Sequence, residues 1–273
     1  MKVFLTLFLL GAFSGSIAAQ IGRLPINRTT YEITNIYRKP NKKEAQLLAP
    51  ENEDLARFAA FLRLPNSGRT KLLADKGCAD NTKVLVVSED CLENTMPGSG
   101  ISFSFRTREH RIPRLSDIVY TEESFQSPGV RLHGIFVNLG EVPIENVSLS
   151  TNGMKYLAEF PPETDIEKAK ALEAKLNEGI MVDGFLYRRG LRTRDNATFA
   201  LRSIAYRGEY YRALGGITYN EFNFDKRLDV IVVFRIVRRH PNGAVTILWR
   251  ELSRNQSPKI ELAKEDRPTP MWW

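Results

Sequence analysis

The chain has 273 residues, of which 42% are hydrophobic, 10% aromatic and 26% charged. These fractions are close to those of globular proteins and exclude the collagen, coiled-coil and disordered classes, and the length suits one large domain or two smaller ones. The 39 Lys and Arg residues outnumber the 32 Asp and Glu residues, which gives a formal net charge of +7, and the 2 cysteines are too few for a disulfide scaffold or a four-thiolate zinc site.

Residues 1–19 have the pattern of a secretory signal peptide. Lys2 precedes an apolar run from Val3 to Phe13, and small residues follow as far as Ala19. Because the run is short for a bilayer-spanning helix, we expect cleavage after Ala18 or Ala19 rather than a membrane anchor or a buried N-terminal helix. The sequence therefore predicts an extracytoplasmic protein, secreted or periplasmic, without a transmembrane anchor.

The first third of the chain predicts a strand, a helix and a second strand. Tyr31 to Tyr37 has the composition of a strand. Apolar residues at helical spacing predict a helix over Glu51 to Leu64, with an acidic first turn that suits the helix dipole and with Pro65 to end it. Ile101 to Arg108 alternates apolar and polar residues as a half-buried strand does.

Two cysteines lie between these elements. Cys78 and Cys91 enclose 12 residues, and in an oxidising compartment we expect them to form a structural disulfide. Closing a loop of this size stabilises the fold by about 3 kcal/mol in the chain-entropy model. A redox pair or a metal clip is the alternative, but the spacing is not Cys-x-x-Cys and no histidine lies near in the sequence.

The middle of the chain predicts a hairpin and then the best helix. Val130 to Leu139 and Val142 to Leu149 are typical of two strands joined by a short turn. A helix then begins at Thr164, which forms a capping-box pattern with Glu167, and ends before Gly179, a residue suited to the positive φ of a helix C-terminus.

The remaining sequence predicts β-structure and a tail. Thr198 to Tyr206 is one strand, and Asp229 to Arg238 pairs with Ala244 to Leu252 around an Asn-Gly turn, the strongest short hairpin signal. The strand Asp229 to Arg238 is apolar on both faces, so we expect it to be central and covered on each side. Ser253 to Trp273 is polar and Pro-containing, as an extended C-terminal tail is.

Together these elements predict an α+β fold of predominantly antiparallel β-sheet with two principal α-helices, at about residues 51–64 and 164–178. One domain over residues 20–252 is the first organisation that they favour. Two lobes split near residues 150–163 are the alternative, because Pro161-Pro162 there precedes the capped helix.

Motifs for most catalytic and cofactor chemistries are missing from the sequence. It lacks the hydrolase elbow, the phosphate loop, the dinucleotide fingerprint, the zinc helix motif and the EF-hand. We therefore assign no catalytic residue, no metal site and no cofactor, and interpret His133, within a predicted strand, as structural. Four acids near strand ends allow a paired-carboxylate site, although solvated positions are their default interpretation. These are Asp183, Asp195, Asp229 and Glu251.

One segment combines arginines with interleaved tyrosines. Its candidate binding residues are Tyr187, Arg188, Arg189, Arg192, Arg194, Arg202, Tyr206, Arg207, Tyr210, Tyr211 and Arg212. Only Asp195 and Glu209 oppose its seven arginines. Arginine binds phosphate or carboxylate bidentately and stacks on aromatic rings, so the segment indicates an anionic partner. The alternative is that these arginines face solvent or pair with acids elsewhere in the fold.

The predicted export narrows the choice of partner. It makes nucleic acid a poor candidate and favours an anionic polysaccharide, a lipid headgroup or an acidic protein surface. The first functional hypothesis is thus a binding or interaction module, which the lack of a catalytic motif favours over an enzyme without deciding the question. A secreted hydrolase whose carboxylate or histidine site is assembled from distant residues is one alternative, and a structural component of an envelope or secreted assembly is another.

Overall fold

The computed structural model describes residues 33, 36–37, 40–74 and 100–260. The predicted signal peptide, the pair Cys78 and Cys91, and the tail beyond residue 260 lie outside these residues. Within the described ranges, the longest helix is both too short and too polar to cross a bilayer.

Strands outnumber helices in the described part of the chain. In chain order, the strands are β1 (Ser67–Leu72), β2 (Ser102–Phe103), β3 (Ile118–Tyr120), β4 (Ser124–Gln126), β5 (Leu132–Asn138), β6 (Ile180–Val182), β7 (Phe185–Tyr187), β8 (Gly190–Arg192), β9 (Thr198–Ala205), β10 (Tyr211–Leu214), β11 (Ile217–Asn220), β12 (Leu228–Arg239) and β13 (Val245–Gln256). The α-helices are α1 (Lys42–Leu47), α2 (Asn52–Arg57), α3 (Ala59–Leu62), α4 (Lys155–Glu159) and α5 (Ile166–Glu178). The α+β class with dominant antiparallel sheet is confirmed.

A five-stranded antiparallel sheet forms the centre of the molecule. Its order is β1-β13-β12-β9-β5, and the predicted hairpin of β12 and β13 supplies its middle. Val232 and Phe234 face one side of β12 and Val233 faces the other, and all three are buried. This confirms that β12 is covered on both faces. Strand β13 continues to Gln256, four residues into the segment predicted as tail.

Helices cover one face of this sheet. Ala169, Leu172 and Leu176 on α5 are buried in the same apolar cluster as Ile135 on β5 and Val233 on β12. Burying apolar surface at about 25 cal/mol per Å² is what holds the helices to the sheet. The cap of α5 is Asp165 rather than Thr164, because the Asp165 carboxylate accepts from the backbone N–H groups of the first turn, at 2.9 and 3.0 Å. Gly179 ends the helix with φ 106°, as predicted.

A smaller sheet covers the opposite face. Its order is β2-β3-β4-β8, and it contributes aromatic side chains that interdigitate with those of the large sheet. Phe125 on β4 meets Phe234 on β12 edge to face at 5.0 Å, and Phe199 on β9 stacks on the same ring at 5.5 Å. The chain therefore forms three layers, with the large sheet in the middle.

A network of buried charges ties the small sheet to the large one. The Asp117 carboxylate accepts hydrogen bonds from Arg106 Nε at 2.6 Å, the Arg106 backbone N–H at 3.1 Å, the Ser104 hydroxyl at 3.0 Å and the Ser203 hydroxyl on β9. Arg106 also donates to Asp225 at 2.5 Å. The side chains of Arg106, Asp117 and Asp225 are completely buried, so these bonds have no solvent to replace them.

Two predictions in the first part of the chain need correction. The predicted helix over residues 51–64 is divided into α2 and α3, because Phe58 leaves the helical region with φ −108° and ψ 20°. The strand predicted for residues 31–37 is wrong for its described residues, since Ile33, Ile36 and Tyr37 are helical. Ile33 and Tyr37, one helical turn apart, bury one face against Leu115.

Two predicted strands in the middle are also wrong or shortened. Residues 101–108 form a strand only at Ser102 and Phe103, followed by a single bridge from Ser104 to Glu109 around a turn. The side chains of Ser102, Ser104 and Arg106 are buried like the apolar ones because they are hydrogen-bonded inside the protein, whereas Arg108 is exposed. Residues 142–149 hold a 3₁₀ helix over Ile144–Asn146 instead of a strand, and its buried residues Ile144 and Val147 are three positions apart, the 3₁₀ repeat. The predicted hairpin around Gly140 therefore does not form.

Candidate functional site

Residues 187–192 cross from one sheet to the other. At the outer edge of β5, the Phe136 N–H donates to the Arg188 carbonyl at 2.8 Å, and the Arg188 N–H donates to the Phe136 carbonyl at 3.1 Å. The Arg189 N–H then donates to the carbonyl of Leu176 near the end of α5 at 3.0 Å, and β8 pairs with β4 of the small sheet. The arginines of this stretch are thus held where the large sheet, the small sheet and α5 meet.

A groove of about 840 Å³ opens at this junction. We call it the arginine groove, because Arg188, Arg189 and Arg192 all line it. Polar side chains from the neighbouring elements complete its walls, and Glu123 is the one carboxylate among its described lining residues. These polar residues are Thr121, Ser124, Gln126 and Asn177. The groove therefore combines net positive charge with neutral hydrogen-bonding groups.

The three groove arginines differ in how firmly they are held. Arg188 donates to the carbonyl of Asn177 at 3.1 Å. Arg189 donates through Nε to the carbonyl of Ser127 at 3.0 Å and forms an ion pair with Glu173. The backbone of Arg192 pairs with Ser124, but its side chain is exposed and, within the described part of the chain, has no hydrogen-bond or ion-pair partner. Among the described residues, none binds the guanidinium group of Arg192, so this group is available to a ligand.

Two glycines allow the groove floor to lie close to the sheets. A Cβ atom added to Gly134 on β5 would fall 2.1 Å from the Ser127 side chain, and one on Gly190 would fall 2.9 Å from the carbonyl oxygen of Phe125. Both distances are shorter than atoms tolerate without movement. Only glycine at these positions lets the loop after β4 and the strand β8 pack so tightly.

Several of the predicted binding residues serve the fold instead of the groove. Arg202 is buried and forms two bonds with Asp229, at 3.0 and 2.7 Å, and two more with the carbonyls of Leu157 and Phe160, at 2.7 Å each. Tyr187 is buried too, and its hydroxyl donates to the carbonyl of Gly153 at 2.8 Å. These contacts clamp α4 and the crossing segment to the core.

The remaining members of the segment lie outside the groove. Arg212 pairs with the buried carboxylate of Glu221 at 2.9 Å, and Arg207 donates to the carbonyl of Ser257 at 2.6 Å. Tyr210 stacks on Phe222 with ring centroids 5.7 Å apart. Tyr211 and Arg194 are exposed at other places on the surface. The structure thus brings three of the eleven predicted residues together in the arginine groove.

A second depression of about 520 Å³ adjoins the groove, and the two share Pro128 and Arg189. We call it the histidine pocket, because His133 and Tyr206 line it. The Tyr206 hydroxyl lies 3.0 Å from His133 Nδ1. Burial lowers the pKa of His133, partly offset by Glu173 and by a hydrogen bond to the backbone of Ala169. Burial also raises the pKa of Tyr206.

Three of the four acids considered from the sequence are paired with arginines. Asp229 binds Arg202, Glu251 binds Arg254 at 2.8 Å and Asp195 binds Arg239 at 2.8 Å. Asp183 lies in the turn between β6 and β7 with φ 50°. Among the described residues, no group of three or more His, Cys, Asp or Glu side chains is arranged to hold a metal ion.

The burial of His133 predicts a pH-dependent stability. Because folding lowers the pKa of His133, the unfolded chain binds its proton more readily, and the folded state loses stability as the pH falls below about 6.5. Glu173 and Glu163 raise this pKa while Arg189 lowers it, so the net direction is that set by burial. We expect the free energy of unfolding, measured by denaturant titration between pH 7.5 and pH 5, to decrease more steeply for the natural protein than for His133→Asn.

The pKa of His240 is also lowered, by burial and by Lys71. Because both proteins contain His240, the difference between their slopes reports the contribution of His133 alone. The asparagine of the variant keeps an acceptor for the Tyr206 hydroxyl but does not titrate. Equal slopes in the two proteins would show that His133 does not contribute.

Comparison of the chain with protein-family models, with curated proteins and with solved structures finds no match. The properties of the groove and the pocket therefore carry the functional argument.

Proposed function

We propose that this protein is a binding module that holds an anionic partner in the arginine groove, outside the cytoplasm as the sequence predicts. The observation that carries the proposal is the convergence of Arg188, Arg189 and Arg192 on one groove where Arg192 is left without a partner among the described residues. A guanidinium group is weakly hydrated and presents a planar fork that fits carboxylate, sulfate or phosphate.

The anchoring of two groove arginines supports this proposal. Arg188 and Arg189 are fixed by bonds to backbone carbonyls, so their remaining N–H groups are oriented before a ligand arrives. Pre-organised donors lose less side-chain entropy on binding than free ones. The neutral side chains of Thr121, Ser124 and Gln126 add donors and acceptors for the uncharged part of a ligand.

The test compares two exposed arginines that lie close together in the sequence. Arg192 lines the groove, whereas Arg194 is exposed but does not line it. We expect Arg192→Ala to weaken binding of the mature protein to heparin, a sulfated polysaccharide, by about tenfold, which corresponds to one charge-assisted hydrogen bond of about 1.4 kcal/mol. Arg194→Ala removes the same charge and is expected to change the affinity by less than about threefold, as one exposed, screened charge does.

The measurement is calorimetric titration at low and at physiological salt, with neutral dextran as a negative control and anionic lipid vesicles and an acidic peptide as parallel arms. The affinity for heparin should fall as salt rises, because exposed charges are screened over about 8 Å at physiological ionic strength. Equal losses in the two variants would mean that net charge and not the groove attracts the ligand. Absence of binding in every arm would overturn the proposed function.

A further inference from the structure

We infer that the occupant of the arginine groove is a linear anionic polysaccharide that continues into the histidine pocket, so that the two depressions form one binding track. This inference rests on the proposed function and specifies the class and the extent of its ligand. The starting observation is that the two depressions, of about 840 and 520 Å³, share Pro128 and Arg189 and are therefore adjacent.

Cationic side chains occur along both depressions. Arg188 and Arg192 line the groove, Arg189 lies where it meets the pocket, and Lys170 on α5 and Arg131 before β5 line the pocket. Glu123 and Glu173 are the carboxylates among the described lining residues, and Glu173 is paired with Arg189. Glu167, which does not line the track, forms an ion pair with Lys170 at 2.8 Å. Counting it, five cations against three acids still leave the track positive, which suits repeated anionic groups rather than one.

The shape and the uncharged lining favour a sugar polymer over a membrane or a protein surface. A concave track does not match a flat bilayer. The apolar side chains that line the histidine pocket, among them Val130, Leu132 and Ile166, are buried or half-buried in its wall and do not protrude as lipid-inserting side chains do. The hydroxyl groups of Thr121 and Ser124 and the amide group of Gln126 line the groove and bond one another, and sugar hydroxyls need both donors and acceptors.

The walls of the track are held in place before any ligand binds. The Tyr206 hydroxyl and His133 Nδ1 are 3.0 Å apart and fix the pocket wall between β5 and β9. Arg189 is fixed at the junction by its bonds to Ser127 and Glu173. A track with rigid walls presents its charges at constant spacing, which is what a regular polymer requires.

The decisive test measures affinity against chain length. A short and a long heparin oligosaccharide are titrated into the natural protein, Lys170→Ala and Lys168→Ala. Both lysines are exposed on α5, but only Lys170 lines the pocket, where it also forms an ion pair with Glu167 at 2.8 Å. We expect the long oligosaccharide to bind the natural protein at least tenfold more tightly than the short one. Lys170→Ala should weaken binding of the long oligosaccharide several-fold and leave that of the short one unchanged, and Lys168→Ala should change neither.

Other outcomes distinguish this inference from the proposed function on which it rests. If Arg192→Ala weakens binding of both oligosaccharides but chain length and Lys170→Ala have no effect, the groove binds anions and the continuous track is wrong. If inorganic polyphosphate of matched length binds as tightly as the long oligosaccharide, the ligand is recognised by its charge alone and the assignment to a polysaccharide is overturned. If no oligosaccharide binds, the proposed function fails as well.

Discussion

Replacing Arg202 with methionine is expected to destabilise the folded protein by about 3–5 kcal/mol, since removal of one partner leaves a buried charge uncompensated. The Asp229 carboxylate loses two bonds, and the carbonyls of Leu157 and Phe160 lose their donor. Denaturant titration monitored by tryptophan fluorescence measures the change. The remaining folded fraction should bind heparin with unchanged affinity, because Arg202 does not line the arginine groove.

The double variant Arg202→Met with Asp229→Leu is the control for this effect. Replacing both charges with apolar side chains removes the uncompensated carboxylate, so we expect part of the lost stability to return. Recovery stays incomplete because the two carbonyls remain without a donor. A loss below about 1 kcal/mol for Arg202→Met would mean that the pair behaves as an exposed ion pair and that the core is not built as described.

Replacing Asp117 with asparagine is expected to lower the free energy of unfolding by about 3 kcal/mol or more. Asparagine has nearly the same shape, but its NH₂ group replaces one of the two acceptor oxygens. It therefore faces two donors in either orientation, Arg106 Nε and Ser203 or the Arg106 backbone N–H and Ser104. The neutral side chain also leaves Arg106 with Asp225 as its remaining acidic partner in the network. Because these bonds join the small sheet to the large one, we expect the loss to affect the whole fold.

The matched control is Asp195→Asn, which removes an ion pair with Arg239 of 2.8 Å whose aspartate is 70% exposed. Such a pair contributes about 0–1 kcal/mol. Thermal unfolding of the two variants under the same conditions gives the comparison. Similar melting temperatures for Asp117→Asn and Asp195→Asn would contradict the role assigned to the buried network.

The parts of the fold that the sequence predicted are those where one periodic pattern dominates. Apolar residues on both faces of β12 indicated a central strand, and Gly179 marked the end of α5. Predictions failed where polar side chains are used inside the protein. Ser102, Ser104 and Arg106 look like the solvent side of a strand, yet all three are buried because distant residues supply their partners.

The candidate site was predicted only in part, because the partners of its polar side chains are also distant in the sequence. The sequence indicated an arginine-rich segment but could not distinguish Arg202, whose partner Asp229 lies on the neighbouring strand, from Arg192, which has none among the described residues. The contributions of Ser124 and Gln126 were missed because neither residue carries a chemical signal of its own. They become relevant only through the pairing of β4 with β8.

The order of strands in the large sheet has a consequence for how the chain folds during synthesis. The middle strands β12 and β13 come last in the described chain, while their neighbours β9 and β1 come earlier. Until the ribosome has released the final hairpin, β1 lacks its partner β13, and β9 has β5 but lacks β12. Contacts between distant parts of a chain slow folding. A nascent chain of this protein therefore keeps the backbone groups at these strand edges unpaired until its final hairpin is made, and the large sheet can close only late in synthesis.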